Sequence, residues 1–158
     1  MEKKKEERTL VIIKPDALQR NLVGEILHRF ERKGLKMIGL KMMRLGDVLL
    51  TEHYFHHQDK SFFDGLKNFM KSSPVVITAL EGLNAVKAVR LIAGPTYGAE
   101  ADAGTIRGDF SMSTQANIVH ASDSAETAEA EIKRFFNADE LFQYKKVDYE
   151  FIYGEEER

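Results

Sequence analysis

The chain has 158 residues, 43% hydrophobic and 30% charged with three prolines, a balance that describes one globular domain with a buried core. A net charge of −2 argues against a nucleic-acid coat or a polybasic membrane binder, and the lack of cysteine excludes disulfides, thiolate chemistry and cysteine zinc sites. Residues 1–7 are a charged tail without an apolar core, so neither a signal peptide nor a membrane span is read there, and a cytoplasmic protein with no membrane or specific nucleic-acid partner is expected.

A single domain is expected over residues 8–153. Thr9–Ile13 is a compact apolar run that reads as a buried strand, ending at Lys14-Pro15-Asp16, where the proline holds Lys14 extended. Val23, Ile26, Leu27 and Phe30 follow helical spacing with Gly34 as a stop, which predicts an amphipathic helix. Leu35–Leu45 is apolar on both parities and reads as a strand covered on both faces. Asp47–Lys71 reads as a helical hairpin broken near Gln58-Asp59-Lys60. Tyr54 and Phe62 lie near its tip, where periodicity favours packing and stacking on a ligand base is the alternative.

Pro74–Leu80 reads as a third strand. Gly82 then opens a helix with Leu83, Val86 and Arg90 on one face, so Arg90 lies in line with an apolar stripe and needs a partner, a structural carboxylate being the plain candidate. Residues 94–113 form a glycine-punctuated loop of a length that is usually functional, and Arg107 sits in it between glycines that let the backbone approach a ligand.

Asn117–Ser124 is a short β-branched run, read as the central strand, that leads through His120 into a helix start. Ser122, Asp123 and Ser124 are all capping types, and Asp123 with Glu126 has the spacing of a capping box. The helix buries Ala125, Ala128, Ile132, Phe135 and Phe136, with Glu131 bordering that stripe. Val147, Tyr149, Phe151 and Tyr153 alternate with polar residues as an extended arm with one apolar face, before an acidic tail at 154–158. The order strand–helix–strand, helical hairpin, strand–helix–strand predicts an α/β (α+β) ferredoxin-like βαββαβ sandwich, with a four-stranded antiparallel sheet, helices on one face and the hairpin as an insertion.

Three cations, Lys14, Arg90 and Arg107, come from a strand end, a helix and a loop, with Thr96 and Asn117 nearby in sequence. If they converge on His120, they make a polyphosphate clamp with a nucleophile at its floor. Neither GxxxxGK[ST] nor GxGxxG is present, so side-chain cations must do the work of a backbone cradle. Glu131 has a plainer alternative, a pair with Arg134 at i+3. His28, His53, His56 and His57 show no spacing tied to chemistry, although His53 and His57 at i, i+4 could take a stray metal.

Lys14-Pro15-Asp16, the segment Gly104–Phe110 and the segment Asn117–Ser124 resemble the signature segments of nucleoside diphosphate kinases, in one order and over roughly Arg8 to Phe136. The resemblance implies ping-pong transfer of a γ-phosphoryl group from a nucleoside triphosphate, through Nδ1 of His120, to a nucleoside diphosphate. It implies that Lys14, Tyr54, Arg90, Thr96, Arg107 and Asn117 surround the phosphates and sugar, that Phe62 stacks on the base and that Glu131 orients the imidazole. It implies Mg2+ carried by the nucleotide and a homo-oligomer, a hexamer first and a tetramer second. Gly98 and Ala103 stand where this family usually has prolines, which would loosen the loop, and Thr114 and Gln115 depart from the usual residues near the base. A non-catalytic ferredoxin-like nucleotide-binding module and a phosphohistidine phosphatase are the alternatives.

Overall fold

The computed structural model describes residues 6–158, so Met1–Lys5 of the expected charged tail lie outside the described residues. Strand β1 (Glu6–Ile13) begins earlier than expected, because Glu6 and Glu7 pair with Leu83 and Gly82 of β3 (Val75–Leu83). Between them come α1 (Pro15–Gln19), α2 (Val23–Lys33), β2 (Lys36–Met43), α3 (Asp47–His53) and α4 (Phe63–Lys71). After β3 follow α5 (Ala85–Ala93), α6 (Ile106–Phe110), β4 (Val119–Ala121), α7 (Ala125–Phe135) and the short α8 (Tyr149–Ile152). The sheet order is β2-β3-β1-β4 with every neighbouring pair antiparallel, the ferredoxin-like arrangement expected.

Side chains on β1 alternate between two cores. Leu10 and Ile12 pack with Leu50, Tyr54, Met70, Ile132 and Phe135, while Val11 and Ile13 pack with Ile26, Phe30, Val89 and Ile106. Helices therefore cover both faces of the sheet, not one. The insertion α3–α4 joins α7 on the first face, and α2 and α5 lie on the other.

Several local expectations give way to tertiary context. The expected cover on both faces of β2 holds only in part: Leu35 and Met37 pack into one core and Ile38 and Met43 into the other, with a bulge between Met37 and Gly39 shifting the register. Beyond it, Leu40 and Met42 stand 49% and 61% exposed on the free edge of the sheet. β3 runs on to Leu83, and the turn into α5 is made by Asn84 in the left-handed region at φ 55°. Gly82 is a strand residue paired with Glu7, and a Cβ there would lie 2.6 Å from the Tyr153 hydroxyl. That hydroxyl accepts a hydrogen bond from the Leu83 N–H at 3.0 Å. The expected extended arm is instead α8, seated with Ile152 over Gly34. Val147 and Phe151 of that segment remain exposed.

β4 is a three-residue edge strand beside β1, not the central strand. Ser124 is the cap of α7, accepting from the Thr127 N–H at 3.1 Å, so Asp123 and Glu126 do not form the capping box. α2 ends as expected at Gly34, at φ 99°. Among the described residues no helix is long and apolar enough to cross a membrane.

The glycine-punctuated loop is more ordered than its composition implies. It contains a 3₁₀ turn at Gly98–Glu100 and then α6, whose cap Thr105 accepts from the Gly108 N–H at 2.9 Å. Gly98 is buried against Ser111, where an added Cβ would collide. Gly108 faces the Asp102 carbonyl, so its lack of a side chain serves loop packing and not ligand approach. Gly108→Ala is accordingly expected to destabilise the fold by about 1–3 kcal/mol through overpacking against backbone. Urea unfolding checks this, and an unchanged midpoint would show that the loop yields freely.

Candidate functional site

The site is built around an unusual turn. Ile118 has φ 76°, rare for a β-branched residue, and the Val119 N–H donates to the Asn117 carbonyl at 2.8 Å, closing a three-residue γ-turn. Both backbone groups of Ile118 are tied to the end of β1. Its carbonyl accepts from the Lys14 N–H at 2.9 Å, and its N–H donates to Asp16 Oδ2 at 3.1 Å. The turn sets Asn117 on one side and β4 on the other, where His120 pairs with Ile12.

Behind His120 lies Glu131 of α7, buried at 3% exposure, with its Oε2 2.6 Å from His120 Nε2. A carboxylate only accepts, so Nε2 carries the ring proton and Nδ1 keeps its lone pair. The alternative pairing with Arg134 does not form. Arg134 reaches Glu52 Oε1 at 3.2 Å and His53 Nδ1 at 3.2 Å.

A cleft of about 510 Å³ opens in front of His120. Lys14, Tyr54, Phe62, Arg90, Thr96, Arg107, Asn117 and His120 all line it, so eight of the nine residues singled out in the sequence are brought together. The ninth, Glu131, sits behind the imidazole. Thr114 and Gln115 line the cleft as well.

The three cations differ in how they are held. The Lys14 ammonium donates to Asn117 Oδ1 at 2.7 Å, and Asn117 Nδ2 donates to the Thr96 carbonyl at 3.0 Å. Burial, then the charge of Arg107, lowers the Lys14 pKa to about 8, with Asp16 opposing. Arg107 spends three donors on backbone carbonyls, those of Asn117 at 3.1 Å, Gly94 at 2.7 Å and Val119 at 2.6 Å. Burial, then Arg90, brings its pKa down to about 10, which still leaves it cationic at neutral pH.

Arg90 lies off the buried stripe of α5, which is Ala85, Val86, Val89 and Ala93. It is exposed to the cleft and has no carboxylate partner among the described residues, so the structural pairing weighed for it is absent. Phe62 is 49% exposed and meets His57 edge to face at 5.2 Å. Tyr54 is buried, and burial followed by the charge of Glu131 keeps its phenol well above the usual range, so it remains a donor.

Sequence reasoning passed over His53. It is 4% exposed, its ring centroid lies 4.5 Å from that of His120, and its Nδ1 is 3.3 Å from Glu131 Oε2. The signal was present, since Leu50, His53 and Tyr54 fall at i, i+3 and i+4 on one face of α3, which points His53 inward. The His57 ring, which could have shared a stray metal with His53, lies near Tyr54 and Phe62. Among the described residues His53, His120 and Glu131 bring three ligand-type atoms within 4.8 Å of one another. The Arg134 guanidinium occupies the Nδ1 lone pair that a metal would need, and its charge opposes a cation there.

The family model described as nucleoside diphosphate kinase matches residues 7–141. The chain is 52% identical over 151 residues to a nucleoside diphosphate kinase of Parabacteroides distasonis, covering 96% of this chain and 99% of that one. It is 49% identical over 147 residues to nucleoside diphosphate kinase A of Rattus norvegicus, covering 93% and 97%. Among solved structures, a halophilic nucleoside diphosphate kinase from Halobacterium salinarum in complex with CDP superposes with a TM-score of 0.92 at 44% identity, covering 94% of this chain and 99% of that one. With a family model over residues 7–141 and relatives of about half identical sequence along nearly their whole length, the chain belongs to the nucleoside diphosphate kinase family.

Proposed function

We propose that this protein transfers the γ-phosphoryl group of a nucleoside triphosphate to a nucleoside diphosphate by a ping-pong mechanism on His120. The observation that carries the reading is the pairing of His120 Nε2 with a buried carboxylate, which leaves Nδ1 as the nucleophile at the floor of a cleft lined by three cations. The Nδ1 lone pair attacks the γ-phosphorus, the bond to the β–γ bridging oxygen breaks, and the diphosphate departs with those electrons. The ring keeps its Nε2 proton and gains positive charge, which the Glu131 carboxylate offsets. A second diphosphate reverses the step.

Phosphoryl transfer of this kind needs positioning and charge compensation more than covalent help. Lys14, Arg90 and Arg107 supply the charge. Tyr54, Thr96 and Asn117 border the phosphates and sugar, and the half-exposed Phe62 offers a stacking face that accepts any base. Among the described residues that line the cleft none is a carboxylate, which fits magnesium carried in by the nucleotide phosphates. A cytoplasmic location completes the proposal.

Labelled ATP tests the reading. The wild type should take label onto histidine and surrender it to any nucleoside diphosphate, and His120→Ala should take none. Label released only as inorganic phosphate would indicate a phosphatase, and no label on the wild type a binding module. The lowered Lys14 pKa adds a pH test, because only the protonated ammonium attracts phosphate. Nucleotide binding by calorimetry should weaken as pH rises through about 8. Lys14→Met should bind more weakly at pH 7 and lose that dependence, and retention of the wild-type slope would remove Lys14 from the clamp.

We also propose a closed homo-oligomer, a hexamer before a tetramer. The free half of β2 supports this, with Leu40 and Met42 exposed on an edge strand, as do the exposed Val147 and Phe151 near the C-terminus. Light scattering at micromolar concentration should give several times the chain mass, and an active species near 18.0 kDa would refute it.

A further inference from the structure

His53 lies between a cation and an anion that belong to the same helix. Its Nδ1 is 3.2 Å from Arg134 Nη1 and 3.3 Å from Glu131 Oε2, so a single ring nitrogen separates guanidinium from carboxylate. Guanidinium is always a donor, so Nδ1 accepts from Arg134 and has no proton to offer Glu131. Without that acceptor, Arg134 and Glu131 at i, i+3 would form a charge-assisted pair. The remaining tie on Arg134 is to Glu52, whose side chain is 60% exposed, a weak restraint in water.

We propose that His53 is a positioning residue: by accepting the hydrogen bond of Arg134 it holds that guanidinium off Glu131 and leaves the carboxylate to His120. The inference rests on His120 as the nucleophile. The charged and titratable groups that face His53 are Glu131 and Arg134 from α7, His120 from β4 and Lys14 from the end of β1. From its own segment come His56 and Tyr54. Burial, followed by the charges of His120 and Arg134, lowers the pKa of His53 to about 2, so the ring stays neutral and keeps accepting across the working range.

The test is the rate of phosphohistidine formation from ATP, measured by rapid quench as a function of pH. His53→Phe preserves a ring against Tyr54, His120 and Phe135 but removes the acceptor. Freed, Arg134 should capture Glu131, slow phosphorylation about tenfold or more, as loss of a ligand-orienting partner does elsewhere, and move the acid limb of the profile to lower pH. The double variant H53F/R134M removes the competitor and should recover most of the rate and the profile. A superimposable profile for H53F, or no recovery in the double variant, overturns the proposal, because a purely packing role would not respond to Arg134. If H53F does not fold, His53→Asn and His53→Leu both lack the ring, but only Asn offers an acceptor. Asn should then be the faster, and equal rates overturn the proposal. A wild type that forms no phosphohistidine fails at the earlier reading and takes this one with it, whereas a normally labelled wild type with unaffected variants sinks this one alone.

Discussion

The site depends on a single backbone distortion. Ile118 is held at φ 76° because its carbonyl and N–H are both claimed by the segment that ends β1, through the Lys14 N–H and the Asp16 carboxylate. Such a conformation is unfavourable for a branched side chain and persists only where the surroundings over-determine it. Ile118 is fully buried, so the side chain that suffers the strain is also packed in the core. The γ-turn lets one short segment present Asn117 to the Lys14 ammonium and then, three residues on, His120 to Glu131. A regular strand through these positions would send alternate side chains to opposite faces in steps of two.

Around that turn the cations divide their labour. Arg107 is largely a strut, its fork spread over three carbonyls from the loop and the turn, so it joins the glycine-rich segment to the strand that carries His120. Arg90 is the opposite case, with no carboxylate partner among the described residues, and it reaches the cleft from the exposed side of α5. Lys14 lies between the two, buried and bonded to Asn117, with its charge kept costly by burial and by Arg107. A polyanion entering this cleft meets positive charge that the protein has left under-compensated. That is the condition under which electrostatic stabilisation is strongest in a water-poor site.

The reach of the sheet explains why the cleft has walls. The hairpin α3–α4 shares a core with β1 and α7, so Tyr54 and His53 are fixed by the same packing that fixes Glu131. The opposite wall is the loop through α6, bound to α2 where Arg29 bonds Asp109 at 2.6 Å and the Gly104 carbonyl at 3.1 Å. Both walls are thus anchored to opposite faces of the sheet, and the cleft lies where they meet beside the edge strand β4.

What the sequence determined by itself was whatever local chemistry dictates. Pro15 made Lys14 extended, helical spacing and Gly34 defined α2, and the run through His120 announced a strand end beside a helix start; these depend on neighbours within a few residues. The resemblance of three segments then named nearly the whole cleft. Tertiary structure decided what depends on distant partners. The bulge in β2 was invisible because apolar residues on both parities fit a doubly covered strand as well as a shifted register. β4 was misjudged as central because its flanking strands are chosen by pairing, not by composition. Gly82 read as a helix start because nothing local reveals that Tyr153, 71 positions later, needs the space a Cβ would take. His53 is a mixed case, because its spacing with Leu50 and Tyr54 turns it inward but does not say what it meets there. Its neighbours Glu131 and Arg134 lie some eighty residues away, and they reach its ring only because α7 packs against α3, which no spacing within α3 records.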